Sequence, residues 1–367
     1  MQIAVVGAGW YGCHIAAVLT SLGIEVDLYE KNERIFGEAS GNNQFRLHMG
    51  FHYARSHRTR LQSRDGYARF LERYSDLSRP IEDNIYGVPT NESLIDFTTY
   101  KIIMSSAGIE YREGDVAGLE RLGFRHLDGF LYAPERVVMT SFARSYFEQR
   151  LAKQLKLGTP ASSIVEHASH VAVNGHRYDF LVDTTWGHLS PLPIACYWEP
   201  TLLLYYRSHV VEPALTLVDG PLASVYPTEE DRLYTLSSVP ITPLGRFDSP
   251  EEAVNVRDGV TREVVERKRE QMEAQIERHI VNFKDRFAFE GIQLAVKTKP
   301  IGASDDRSCW VGHAGRSFTV LSGKIDTIFF AAETIVAQLE AMVERFSDTT
   351  AGAKPSVAGI RPMPCAA

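Results

Sequence analysis

The apolar positions change their period along the chain, and each change marks an element. Ile3-Ala4-Val5-Val6 is a short unbroken apolar run, as a strand covered on both faces requires. His14 to Leu22 is mostly apolar at helical spacing, and Gly23 stands where a helix end favours glycine. Glu25 to Glu30 predicts a second strand. From Glu38 to Arg64 the chain is rich in Gly, Asn, Arg and His, a long loop entering a helix that continues over Asp65 to Tyr74. Ile85 to Leu131 mixes short strands and helices, Ser141 to Leu155 predicts a helix, and Arg177 to Gly187 a strand ending in a polar turn. Thr201 to Val210, Ala214 to Val218, Ala223 to Tyr226 and Arg232 to Val239 read as antiparallel strands. Glu263 to Phe283 is a charged helix with Val264, Met272, Ile276 and Ile280 at helical spacing. A strand from Leu294, a glycine turn and a closing helix over Lys324 to Phe346 follow.

Strand–helix pieces at both ends bracket an antiparallel block, so the expected class is α/β with two lobes. Residues 1–80, 133–198 and 290–347 form a Rossmann-like lobe on a parallel sheet. Residues 81–132 and 199–289 form a second lobe on an antiparallel sheet, and 348–367, rich in Ala, Gly and Pro, is expected to be disordered.

The balance of residues narrows the function classes. With 44% hydrophobic and 23% charged residues the chain is of globular type, and its net charge of −7 argues against general nucleic-acid binding. Cys13, Cys196, Cys309 and Cys365 lack Cys-x-x-Cys spacing, so no metal site or disulfide framework is expected. Scattered cysteines suit a reducing compartment, and Met1 to Val6 runs into a strand without a basic leader, so the expected location is cytoplasmic. The longest apolar runs are broken by Gly, Asp or Lys, so no membrane span is expected.

The strongest local signal is Gly7-x-Gly9-x-x-Gly12, directly after a strand and directly before a helix. Gly7 makes a tight turn, Gly9 admits a pyrophosphate to the backbone, and Gly12 lets helix and strand pack closely. Trp10 and Tyr11 lie inside this turn, where helix N–H groups face an anion. Glu30 ends the second strand, where an acid binds ribose hydroxyls, with Lys31 beside it. Such an acid favours an unphosphorylated ribose, hence FAD or NAD.

The segment resembles FAD-dependent oxidoreductases of the D-amino-acid-oxidase type. In the loop Ser40-Gly41-Asn42-Asn43, with His48, Gly50 and Tyr53 beyond it, the chain is similar to L-2-hydroxyglutarate oxidases. Phe180 to Gly187, with Thr185 and Gly187 in its turn, resembles the strand that closes over the FAD adenosine. Gly312 to Lys324, with Gly315, Ser322 and Gly323, resembles the turn and helix that meet the flavin. The resemblance implies FAD as cofactor. It departs at Lys299-Pro300, where amino-acid oxidases of this type carry Arg-Pro; lysine lacks the bidentate fork that a carboxylate favours.

No acidic residue falls between Glu38 and Asp65, whereas Arg46, His48, His52, His57, Arg55, Arg58, Arg60 and Arg64 do. Arg58, Arg60 and Arg64 are read as a solvated helix face. Arg46, His48 and His52 are the candidate catalytic residues, the resemblance placing their loop over the flavin; His48 or His52 is the candidate base, and Arg46 and Lys299 are candidate anion binders. Tyr53, Tyr226, Lys299, His313 and Arg316 are the candidate substrate-binding residues, and Tyr205, Tyr206 and Tyr234 are read as packing. The expected activity is hydride transfer to flavin from a carbon bearing an amine or hydroxyl, in a small anionic metabolite, with oxygen or a separate acceptor reoxidising the flavin. Two alternatives stay open: a flavin monooxygenase, since Gly312-His313-Ala314 resembles its Gly-Asp-Ala turn, and a non-redox flavoenzyme such as a sugar-nucleotide mutase.

Overall fold

The first apolar run becomes the centre of a six-stranded sheet. In the computed structural model, which describes residues 1–192, 194–302 and 306–349, Gln2–Val6 pairs in parallel with Glu25–Tyr29 on one side and Phe180–Asp183 on the other. Ser317–Leu321 continues the sheet in parallel beyond Phe180–Asp183, and Trp310–Ala314 closes that edge as a hairpin. Leu155–Lys156 forms the opposite edge.

Alternation along the central strand distributes its side chains to two layers. Ile3 and Val5 face the helices Trp10–Ser21 and Ile328–Thr349, joining Ala16, Leu19, Ile335 and Leu339 in one core. Ala4 and Val6 face a small antiparallel sheet of Ile164–Glu166, Val171–Val173 and His176–Tyr178. Four of the five residues, Ile3 to Val6, are buried and apolar, and the one polar residue, Gln2, is exposed.

The second large sheet has eight strands, and the four segments between residues 200 and 240 are all in it. Cys196–Ser208 pairs along its whole length with Phe287–Pro300. Its pairs are antiparallel except Ala214–Leu217 with Asn84–Pro89, which run parallel. Leu204, Leu215, Val225 and Leu236 pack outward against Met272 and Ile276 of the helix Arg262–Ile276. The opposite face carries Tyr86, Thr216, Ser224 and Tyr226 toward the loop after residue 45.

Several boundaries differ from the sequence expectation. The helix expected over Glu263 to Phe283 stops at Ile276, because the chain turns at 277–282 with Asn282 left-handed (φ 56°) before a short helix Phe283–Arg286. The closing helix starts at Ile328, after a tight turn over Ile325–Thr327. That helix continues to Thr349; the rest of the segment expected to be disordered, 350–367, lies outside the described residues. No helix among the described residues is long and apolar enough to cross a membrane.

Candidate active site

The glycine turn is shaped by contacts that exclude side chains. Gly7 holds a left-handed φ of 95°, and its N–H donates to the Tyr29 carbonyl. A Cβ on Gly12 would lie 1.9 Å from the Gly7 oxygen, so the helix packs against the turn only with glycine there. A Cβ on Gly9 would lie 2.7 Å from the Ser40 Oγ. That hydroxyl accepts from the Trp10 N–H at 3.0 Å, tying the Ser40 loop to the start of the helix. Glu30 accepts from the Ala8 N–H at 2.8 Å and from Asn32, so the acid grips the turn as well as ending its strand. Thr184 donates to the carbonyls of Val6 and Gly7, and Thr185 to Asp183, beside Gly187 (φ 78°). The result is an open-ended cradle of backbone at a helix N-terminus, the arrangement that takes a pyrophosphate.

Several neighbours expected to touch a cofactor turn their side chains elsewhere. Trp10 is buried against Phe36, with Phe70, Tyr74 and Phe147 around it, so only its backbone faces the turn. Tyr11 crosses to the far end of the chain, its hydroxyl meeting the Lys324 carbonyl at 2.5 Å and the Thr327 hydroxyl at 2.7 Å. The Ser322 hydroxyl joins the same Thr327. Lys31 pairs with Glu38 at 2.8 Å. The Asn42 and Asn43 amides donate to carbonyls of Gly37, Glu38, Ala39 and Ser40, shaping the loop from within. Gly41 is required there, since a Cβ would meet the Phe36 oxygen at 2.1 Å.

Beyond this loop a buried cluster forms. Lys324 Nζ lies 3.1 Å from His48 Nε2 and 4.6 Å from the centre of the Tyr53 ring. His48, His52 and Tyr53 are mutual neighbours, with ring centres 5.4 to 6.0 Å apart. The Nδ1 atoms of His48 and His52 and the Tyr53 hydroxyl are buried without a hydrogen-bond partner among the described residues. Burial first, then the Lys324 ammonium, hold both imidazoles well below their ordinary pKa, so they are uncharged at neutral pH. Burial also lowers Lys324 to about 8, opposed by Asp326, whose own carboxyl burial pushes up to about 6.

Arg46 reaches the second sheet. Its guanidinium donates to Tyr86 and Thr216 through one nitrogen and to Ser224 through the other, and lies 3.9 Å from the Tyr226 ring centre. Tyr226 is fully covered and donates to the Arg136 carbonyl. Both tie the loop to the second sheet. Lys299 pairs with Glu199 on the adjacent strand. Arg60 is buried rather than solvated, donating to the carbonyls of Tyr53 and Ala54 and so bracing the His52 turn.

The glycine turn near Gly312 divides. Lys324 reaches the cluster, with Ser322 joined to Thr327 and Gly323 beside Arg307, whereas His313 stacks on Phe318 and Gly315 and Arg316 lie at a different place. Ala314 pairs with Ser317 opposite Leu181, and Leu181 pairs with Ala4, so the 315–316 turn lies at the amino-terminal end of the sheet. Arg316 there bonds the carbonyls of Ala168 and Asp179, and Gly315 abuts Glu166. Sequence reasoning missed Glu135, which is completely buried and accepts from the Met49 N–H and the Tyr86 hydroxyl.

A parallel sheet with a glycine cradle at the helix N-terminus, beside a buried cluster of His48, His52, Tyr53 and Lys324, is the arrangement of a dinucleotide-binding protein. Residues 2–285 match the model of the FAD dependent oxidoreductase family, and the chain belongs to that family, as its resemblance to the D-amino-acid-oxidase type implied. It is therefore an FAD-dependent oxidoreductase. The FAD-dependent monooxygenase FPY4 of Fusarium mangiferae is 54% identical over 339 residues, 92% of this chain and 91% of that one. Among solved structures, NikD, an unusual amino acid oxidase essential for nikkomycin biosynthesis, has a TM-score of 0.70 at 16% identity, covering 90% of this chain and 91% of its own. The L-α-glycerophosphate oxidase of Mycoplasma pneumoniae, with FAD bound, gives 0.71 at 12% identity, covering 92% and 94%. At those identities the likeness is one of fold.

Proposed function

We propose that this chain oxidises a small metabolite at a carbon bearing a hydroxyl or amine. The observation that carries the reading is the pair of buried, uncharged imidazoles, His48 and His52, with unpartnered Nδ1 atoms beside Lys324. The cradle of Gly7, Gly9 and Gly12, with Glu30 and Ser40, would hold the cofactor's pyrophosphate and ribose. Bound FAD supplies the hydride acceptor. An imidazole of low pKa is unprotonated at neutral pH and accepts the proton released from the substrate O–H or N–H as C=O or C=N forms. Tyr53 and Lys324 border the same space, and Lys324 is the cation best placed to orient an anionic substrate, since Arg46 and Lys299 are engaged by the protein. Burial of the cluster keeps water from competing for that proton.

The test is anaerobic mixing of the flavin-loaded enzyme with hydroxy acids, amino acids and neutral alcohols. Bleaching of the oxidised flavin band by one class, slowed at least about 100-fold by His48→Gln, is expected. A flavin that none of them bleaches would sink the reading.

The name of the 54% identical relative favours a second reading, oxygen insertion by a monooxygenase. It requires an external reductant, and no second glycine fingerprint is present in the sequence to bind one. Bleaching by NADH or NADPH, with label from oxygen gas appearing in the product, would establish it over the first.

A further inference from the structure

Glu135 lies outside the sequence motifs, on the turn between the strands Leu127–Tyr132 and Arg136–Val138. Its burial is complete, and an ionised carboxylate tolerates that only when bonded. One oxygen accepts from the Tyr86 hydroxyl at 2.6 Å; the other accepts from the Met49 N–H at 2.8 Å. Met49 directly follows His48, so the carboxylate grips the backbone next to the imidazole.

The register of the small sheet explains the meeting. Arg46 pairs with Val137 and Leu47 with Arg136, so the next step along both strands sets His48 opposite Glu135. Glu135 Oε1 lies 3.8 Å from His48 Nδ1, and that nitrogen has no hydrogen-bond partner among the described residues. The distance exceeds a hydrogen bond, and contacts of this kind commonly tighten when a site is loaded. On the other side of the ring, Nε2 faces the Lys324 ammonium at 3.1 Å. An ammonium is a donor only, so Nε2 accepts and the ring proton falls to Nδ1, on the carboxylate side.

We propose that Glu135 is a positioning residue that fixes His48 as the Nδ1–H tautomer, leaving Nε2 as the basic lone pair. The inference rests on the reading of His48 as the proton acceptor. When Lys324 turns from Nε2 to the bound anionic substrate, Nε2 takes the substrate proton, the imidazolium keeps its Nδ1 proton, and the adjacent carboxylate stabilises the new charge without taking it. The other charged or titratable groups facing this pair are Arg46, Asp326, Tyr86, Tyr226, Tyr100 and Tyr67 around the carboxylate, and Lys324, Arg46 and His52 around the ring. Arg46 and Lys324 oppose a positive charge on His48, and the carboxylate beside Nδ1 offsets them.

The experiment uses the flavin-loaded enzyme with its histidines labelled by the heavy nitrogen isotope, His48→Gln assigning the His48 signals. The expected wild-type spectrum at neutral pH shows a protonated Nδ1 and an unprotonated Nε2. In Glu135→Gln the preference is expected to be lost or reversed, since a carboxamide N–H can donate to Nδ1, while Glu135→Asp retains it. A wild-type His48 protonated on Nε2, or a spectrum unchanged in Glu135→Gln, would overturn the proposal. If Glu135→Gln fails to fold, Lys324→Met decides: with the ammonium gone, a proton kept on Nδ1 supports the carboxylate's role, and its loss would overturn the proposal. The tautomer is read without substrate, so this result stands apart from the flavin-bleaching screen, and either can fail while the other holds.

Discussion

Lys324 and His48, 276 residues apart in the chain, share a contact of 3.1 Å in the buried cluster beside the glycine cradle. Two basic groups so placed resist carrying two protons, because each charge raises the cost of the other. Replacing Lys324 by Met removes that opposition. The His48 imidazole pKa is expected to rise by about one unit or more. A proton titration of the His48 signal checks this. A titration that does not move would show that the ammonium is not felt at the ring.

Arg46 is bound on three hydroxyls and a tyrosine face, and lysine cannot reproduce that planar set of contacts. Arg46→Lys is expected to cost about 2–4 kcal/mol of folding stability. Denaturant unfolding of the flavin-loaded protein measures it. A large rise in substrate KM with no loss of stability would instead return Arg46 to the role of anion binder.

Lys299 sits against Glu199, whose carboxylate is almost entirely covered. Lys299→Met removes that ion pair and leaves the carboxylate to its cross-strand partner Lys297, so it is expected to destabilise by about 1–3 kcal/mol. Adding Glu199→Gln removes the partly compensated charge and should restore most of the loss. Equal stability of the two variants would show that the pair is not coupled.

Gly9→Ala forces a methyl group toward the Ser40 hydroxyl. Combining it with Ser40→Ala clears that clash, so thermal stability should recover in the double variant. Flavin retention should not recover, because the added methyl still stands where backbone meets pyrophosphate. Flavin absorbance per mole of protein, with and without added FAD, separates the two effects.

His14 is fully buried, its Nδ1 2.7 Å from the Tyr74 hydroxyl, and burial followed by the Arg73 charge holds its pKa down to about 3. Between that value and the ordinary 6.5, the unfolded chain binds a proton that the folded chain refuses. Stability therefore rises with pH across this window and is lost as pH falls, by about 1.4 kcal/mol per pH unit for this group. His14→Gln, which keeps a polar side chain without a titrating one, should flatten the acid limb between pH 6.5 and about 3. An acid limb of unchanged slope would mean that other groups set it.

What the sequence made legible was local. Gly7, Gly9 and Gly12 act on one another and on a strand within the first 30 residues, so spacing alone carries them. Long-range partners were not legible. Arg46 looked like a free anion binder because Tyr86, Thr216 and Ser224 lie 40, 170 and 178 residues away. Lys299 misled in the same way, with Glu199 100 residues distant. The 315–316 turn was read with its neighbours, although a hairpin separates its two ends by the length of its strands. Glu135 gave no signal, because an isolated acid after a proline says nothing until a strand register sets it opposite a histidine.

The contact between the Tyr11 hydroxyl and the Lys324 carbonyl spans 313 residues. Synthesis proceeds at about 5–20 residues per second, so a nascent chain completes its first helix about 15–60 s before the segment that braces it leaves the ribosome. During that interval the glycine cradle exists without its far wall, and the apolar face meant for Ile335 and Leu339 is uncovered. Cofactor capture thus becomes a late event in the life of each molecule, and chaperone demand should fall on the growing amino-terminal half rather than on the finished protein.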